Sequence, residues 1–454
     1  HSLEGIVFAY QNHKVAQEKA AQLLFGAIEG KGVLPVSAHP DLPVGTSVET
    51  PKIGRLAYGL PESVGLSSDK LKTIDSIAQE AIDQKMTPGM QILVAKKGKI
   101  VYRKNFGTLD YNPAHKVNDH TIYDLASLTK ILATLPELMR LYTKGDFRPN
   151  DTFEDLLPRL KDTNKGGMTM KEVLSHYAQF QSWIPFFNQT LDKNKKPLPE
   201  FYSTTPSDSF PTQVAKDLYL REGFTDSIYK RIDDSNLIKD KKYLYSDLPY
   251  YYFKLFIEKK TKKPLQEAVQ KHFYRELGAY QLTYLPLERF PITNIAPAED
   301  EKTFRGQELR GYVHDQGAAL LGGVGGHAGL FGTADDVAKM MQMYLQKGYY
   351  GGTWYLQPQA IQLFNTCNYC TEGNRRGLGF DKPQLGKAGP TCGCVPMESF
   401  GHTGFTGTFA WADPINEIVI VFLSNRTYPS AENKLLINKL IRQRVQEVVY
   451  KAGL

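Results

Sequence analysis

Ile122-Tyr123-Asp124-Leu125-Ala126-Ser127-Leu128-Thr129-Lys130-Ile131-Leu132-Ala133 is the stretch on which the reading of this chain turns. Ser127 and Lys130 stand three apart at the head of an apolar run, and on an α-helix that spacing places both side chains on one face. A serine hydroxyl is a weak nucleophile until a neighbour accepts its proton, and a lysine amine does so only in a desolvated setting. Leu125, Leu128, Ile131, Leu132 and Leu135 supply such a setting.

The spacing alone is cheap. It recurs at Ser67-Ser68-Asp69-Lys70, where Ser67 or Ser68 reads as a helix N-cap, and at Ser227-Ile228-Tyr229-Lys230 in a charged segment. Ser127 is set apart by two motifs downstream of it: Tyr245-Ser246-Asp247, flanked by apolar residues, and then His402-Thr403-Gly404 just before a strand-like segment. A competing Tyr10-Gln11-Asn12 precedes every candidate serine. Gly322-Gly323-Val324-Gly325-Gly326 has the glycines of a phosphate loop but no Gly-Lys-Ser/Thr after them, so a nucleotide site is not expected. Thr333 instead reads as the cap of a helix from Val337 to Leu345.

In this order the motifs resemble the serine β-lactamase and penicillin-binding-protein superfamily, in its class C-like branch of D-aminopeptidases, DD-peptidases and esterases. The resemblance runs from about Glu62 to the C-terminus and includes Gly326-His327-Ala328-Gly329-Leu330-Phe331-Gly332, similar to that family's glycine-rich loop. It implies an α/β (α+β) fold: an antiparallel sheet flanked by helices, with an inserted all-α lobe. It implies acyl transfer through an acyl-Ser127, with Lys130 and Tyr245 around the hydroxyl and either as the base; a cation beside Tyr245 leaves a phenolate base open. The oxyanion donors would be the N–H groups of Ser127 and Phe405. Asp247, His402, Thr403 and Gly404 would meet the substrate, and the chemistry needs no cofactor and no metal.

Two positions depart from the pattern. His402 stands where β-lactamases have Lys, which makes the anchor for a substrate carboxylate pH-dependent near neutrality, and Asp247 stands where Asn is usual. Both argue against an efficient β-lactamase and for a peptidase, amidase or esterase acting on a small-molecule or peptide substrate of cell-wall origin, in the bacterial periplasm or envelope. The alternative is an idle module that binds cell-wall peptides.

The 454 residues are 41% hydrophobic and 23% charged, ordinary for a globular protein. The net charge of +7 is spread along the chain without a basic, aromatic-laced block, so a nucleic-acid partner is not expected. No apolar run reaches the roughly 18–20 residues needed to span a bilayer, and no signal peptide is legible. The four cysteines cluster as Cys367-x-x-Cys370 and Cys392-x-Cys394. Two disulfides are favoured over a four-thiolate zinc site, with four buried thiols as a third reading.

Residues 1–38 read as strand (Gly5 to Tyr10), helix (Val15 to Phe25) and extended chain (Gly32 to Val36), too small a unit to fold alone. They resemble the end of the C-terminal α/β domain of family 3 glycoside hydrolases, which implies a packing partner of that kind. Residues 1–50 hold no pair of positioned carboxylates, so glycosidase chemistry is not expected. Residues 39–61, rich in proline, read as a linker to a domain spanning 62–454. Beyond Ser67/Ser68 an amphipathic helix repeats Leu71, Ile74, Ile77 and Ala81, and a hairpin covers Gln91 to Phe106. Residues 153–244 read as a helical insertion in which His176 is structural. Strands from Gly407 to Ala412 and Glu417 to Leu423 precede a final helix, Glu432 to Tyr450, that lays Leu436, Leu440, Ile441, Val445 and Val448 on the sheet.

Overall fold

The computed structural model describes residues 5–384 and 386–453. Its centre is a six-stranded sheet built from β1 (Ala57–Tyr58), β2 (Gly89–Lys96), β3 (Lys99–Gly107) and three late strands. A short β4 (Tyr123–Asp124) stands apart from it and precedes Ser127. Three strands in the insertion, β5 (Tyr202–Ser203), β6 (Thr212–Ala215) and β7 (Leu218–Leu220), and β8 (Phe331–Gly332) come next. The late sheet strands are β9 (Phe400–Thr403), β10 (Phe409–Asp413) and β11 (Ile418–Ser424). The order across the sheet is β1-β3-β2-β11-β10-β9, antiparallel throughout except that β1 runs parallel to β3.

The sheet is covered on both faces, and the sequence of β11 shows why. Ile418, Ile420 and Phe422 point into one apolar cluster, while Val419, Val421 and Leu423 point into the other. A two-residue period with apolar residues at every position produces a strand buried on both sides. On one face lie Ile74, Ile77, Ala78 and Ala81 of the helix Thr73–Asp83 and Val445 and Val449 of the helix Ile441–Lys451. On the other lies the helix Ala334–Leu345 with Val337, Ala338 and Met341. Each fully buried Val, Ile or Leu contributes roughly 1.5–3 kcal/mol. The β2–β3 turn is made by Lys97 and Gly98, both at positive φ (50° and 71°), the geometry a two-residue hairpin needs.

Several details differ from the sequence expectations. Neither Gly5 to Tyr10 nor Gly32 to Val36 is a strand, because no neighbouring strand supplies a ladder; the helix between them runs Lys14–Leu24. The stretch 39–61 is not all linker. Ala57 N–H donates to Gly98 O and Gly59 N–H to Ile100 O, which adds an edge to the sheet. The inserted lobe is not purely helical, since β5, β7 and β6 form a small sheet in it, rich in the Tyr, Val and Leu that suit a pleated surface.

Thr333 sits at the cap position without capping. Ala334 N–H is satisfied by Gln91 Oε1 at 2.9 Å instead. The final helix is broken at Leu440, which has φ 52°; the break re-phases the face, so Val449 is buried and Leu440 is exposed. Cys367 pairs with Cys370 and Cys392 with Cys394, so all four sulfurs are taken up in disulfides. No helix among the described residues is long and apolar enough to cross a membrane.

Candidate active site

Ser127 stands at the foot of a helix because the chain before it is pinned. β4 pairs with β8, Leu125 N–H donates to Leu330 O at 2.9 Å, and the buried Asp124 carboxylate accepts from Ala126 N–H (2.8 Å) and His314 N–H (2.7 Å). Burial pushes the Asp124 carboxyl up, against those two donors. Between them these contacts hold Ala126 at φ 47°, a strained conformation for a residue with a Cβ. The helix beyond it carries a π-helical turn at Lys130–Thr134, and Tyr344 and Tyr274 donate to the carbonyls of Ile131 (2.7 Å) and Leu132 (2.9 Å).

Two side chains meet at the half-buried Ser127. Lys130 Nζ lies 3.0 Å from Ser127 Oγ, and Tyr245 OH donates to the same oxygen at 2.9 Å. Lys130 is fully buried and also donates to His327 O in the glycine-rich loop at 2.9 Å. Asp247 Oδ1 lies 2.6 Å from Lys130 Nζ as an ion pair whose angles are not those of a hydrogen bond. The lysine stands 5.2 Å from the ring centroids of both Tyr245 and Tyr250.

Burial, and then the Asp247 charge, push the Tyr245 phenol well above its ordinary value. Tyr245 is therefore a neutral donor to Oγ in the resting state. The phenolate base left open by the sequence is disfavoured here.

The third motif comes in on β9. Thr403 closes that strand, and Gly404 crosses the nucleophile segment so closely that a Cβ there would lie 2.0 Å from Thr408 Oγ1 and 2.8 Å from Leu125 O. Thr406 Oγ1 and Thr408 Oγ1 donate to the carbonyls of Asp124 and Leu125 and lock the two segments together. Among the described residues, neither Ser127 N–H nor Phe405 N–H donates within the protein. Both are thus without an acceptor in the protein, a condition that an oxyanion donor has to meet.

His402 is not the titrating cation expected from the sequence. It is buried, and its Nδ1 lies 2.6 Å from Thr403 O, which as a pure acceptor assigns the proton to Nδ1. Burial first, then the charges of Arg376 and Lys130, hold the imidazole well below its ordinary value, so it is neutral near pH 7. The cations beside the third motif are Arg375 and Arg376, which sequence reasoning missed. Arg376 is 1% exposed, pairs with Asp381 at 3.3 Å and lies 5.7 Å from the Tyr245 ring; Arg375 pairs with the same carboxylate at 3.0 Å.

His176 has a positioning part in this arrangement. Its ring lies 4.6 Å from that of Tyr245, its Nδ1 accepts from Ser246 N–H at 3.2 Å, and its carbonyl accepts from Leu244 N–H. On the other side of Asp247 a cavity of about 20 Å³ is lined by Trp183, Phe187, Asp247, Tyr251, Asp315 and His327. Asp315 meets His327 Nε2 at 2.8 Å; burial works to raise the carboxyl, but the histidine outweighs it and holds it low. No group of three or more His, Cys, Asp or Glu among the described residues is arranged to hold a metal ion.

The chain belongs to the Beta-lactamase family, whose pattern it matches over residues 74–442. It is 30% identical over 415 residues to an Escherichia coli K12 protein named "Putative D-alanyl-D-alanine carboxypeptidase", which covers 85% of this chain and 89% of that one. Among solved structures it superposes on EstCE1, a hydrolase with promiscuous acyltransferase activity, with a TM-score of 0.61 at 17% identity, over 84% of this chain and 99% of that one. A penicillin-binding-protein homologue from Caulobacter crescentus superposes with a TM-score of 0.60 at 16% identity, over 86% of this chain and 99% of that one. At such identities these two report the fold.

Proposed function

We propose that the protein is a serine acyl hydrolase that forms an acyl-Ser127 ester from an amide or ester substrate, of the class of cell-wall peptides ending in D-alanine. The observation that carries this reading is the convergence on one oxygen: Lys130 and Tyr245, 115 residues apart in the chain by their numbering, both contact Ser127 Oγ, at 3.0 and 2.9 Å. Ser127 Oγ attacks the substrate carbonyl carbon, and its proton passes into the Lys130–Tyr245 pair that contacts it. The tetrahedral oxyanion lies against the N–H groups of Ser127 and Phe405. The leaving group departs with a proton from Tyr245, which the lysine's proton restores, and water then hydrolyses the ester by the same steps in reverse.

The relative named as a carboxypeptidase supports the substrate class, and its bacterial source supports a place in the cell envelope. Phe8, Val15, Leu24 and Phe25 are exposed in residues 5–38, which supports a packing partner for this segment; its resemblance to the end of a glycoside hydrolase α/β domain is what supports a partner of that type. An idle peptide-binding module is favoured by one observation, the Asp247 carboxylate against Lys130. A fluorophosphonate probe separates the two: covalent mass on Ser127, abolished in Ser127→Ala and retained in Ser67→Ala and Ser227→Ala, is the enzyme's result, and no adduct on the native protein is the module's.

A further inference from the structure

Among the described residues, two of the buried arginines pair with carboxylates and two do not. Arg305 pairs with Glu301 at 3.2 Å and Arg376 with Asp381 at 3.3 Å. Arg426 and Arg442 are 2% and 7% exposed, and neither forms an ion pair among the described residues. Both reach the underside of the turn that carries Phe405. Arg442 Nη1 donates to Thr408 O at 3.0 Å. Arg426 donates its backbone N–H to Thr406 O, holds its guanidinium 4.7 Å from the Phe405 ring, and spends Nη1 on Asn433 O and Ala431 O.

The Nε–H of each arginine is buried with no acceptor, and so is Nε2 of Gln446, one helical turn on from Arg442. A buried charge without a counter-charge is costly, and a second like charge bonded to the same turn adds to that cost. The acid that acts on Arg426 is Glu299, but its carboxylate is taken by His314 at 2.9 Å and by Ala431 N–H. Burial first, and then the repulsion of Arg426, lower Arg442 to about 10.

We propose that Arg426 and Arg442 bind a small monovalent anion, a halide of the chloride type, beneath the turn that presents Phe405. Exposures of 2% and 7% restrict it to an ion of very few atoms. It accepts from the free Nε–H groups, neutralises the pair, and braces the Thr406 and Thr408 carbonyl contacts that fix the turn. The readout is stability, so the proposal stands or falls apart from the acyl-transfer reading.

The experiment exchanges the native protein into sodium gluconate and titrates sodium bromide at constant ionic strength. Once bromide exceeds its Kd, Tm should rise by about 1–2 °C for each tenfold increase, and crystals grown with bromide should show an anomalous peak in contact with both guanidinia. Arg442→Met should lose the bromide dependence; if that variant does not fold, the native titration and the peak decide. A Tm that is flat against gluconate overturns the proposal, and a peak without a Tm response marks an adventitious ion only and overturns it equally.

Discussion

Asp247 Oδ1 lies 2.6 Å from Lys130 Nζ, which places a carboxylate against the amine that contacts the Ser127 hydroxyl. An aspartate accepts hydrogen bonds and cannot donate them when ionised, so any substrate group on this side must offer N–H and avoid negative charge. The same charge helps to hold Tyr245 protonated.

Asp247→Asn should therefore lower KM about fivefold for a carboxylate-bearing substrate, the effect of roughly 1 kcal/mol for a partly exposed charge contact. A matched methyl ester should change by less than twofold. Steady-state kinetics on the pair decides, and equal effects on acid and ester would remove Asp247 from substrate selection.

His402 yields a different expectation from the one its sequence position implied. Held well below its ordinary value by burial, Arg376 and Lys130, it carries no charge to lose between pH 6 and 8. The ratio of kcat/KM for acid and ester should stay flat across that range, while Arg375→Ala should raise KM for the acid by several-fold. A ratio that falls through pH 6.5 would restore His402 as the anchor.

Gly404 is fixed by packing. A methyl group there would meet Thr408 Oγ1 at 2.0 Å and Leu125 O at 2.8 Å, and neither segment is free to move, since Thr408 itself bonds Leu125 O. Gly404→Ala should destabilise the protein by about 1–3 kcal/mol and cut Ser127 labelling by a fluorophosphonate more than tenfold. An unchanged Tm and labelling rate would show that the turn is not locked to the nucleophile segment.

Much of this was legible from residue types and spacing. The alternation in β11 and the apolar run after Ser127 fixed their own burial, and Ser127, Lys130 and Tyr245 were brought together as their motifs implied. What the sequence could not convey was environment. His402 looks like a switch until the depth of its burial and the nearness of Arg376 are known. Arg376 lies in a Gly- and Pro-rich stretch with no periodicity, and only its tertiary placement brings it to Tyr245. The adjacent Arg375-Arg376 with Asp381 five positions on was the one available signal. The strands expected at Gly5 to Tyr10 and Gly32 to Val36 failed because a strand is made by its neighbour as much as by its own residues.

Lys382 is buried without a carboxylate, and its titration should be visible in the protein's stability. Its Nζ donates to Asn365 Oδ1 at 2.6 Å and lies 3.4 Å from Ser399 O, both neutral acceptors. Burial lowers it to about 8, with Glu398 acting weakly the other way. A lysine that binds its proton less tightly when folded than when unfolded opposes folding below pH 8, and that opposition fades as pH rises from about 8 towards the ordinary lysine value of about 10.4. Lys382→Met should thus stabilise the protein by roughly 1–3 kcal/mol at pH 7, and the advantage should shrink by pH 9.5. Urea unfolding of both proteins at the two pH values measures it directly; an advantage that does not change with pH would mean that Lys382 binds its proton equally well folded and unfolded.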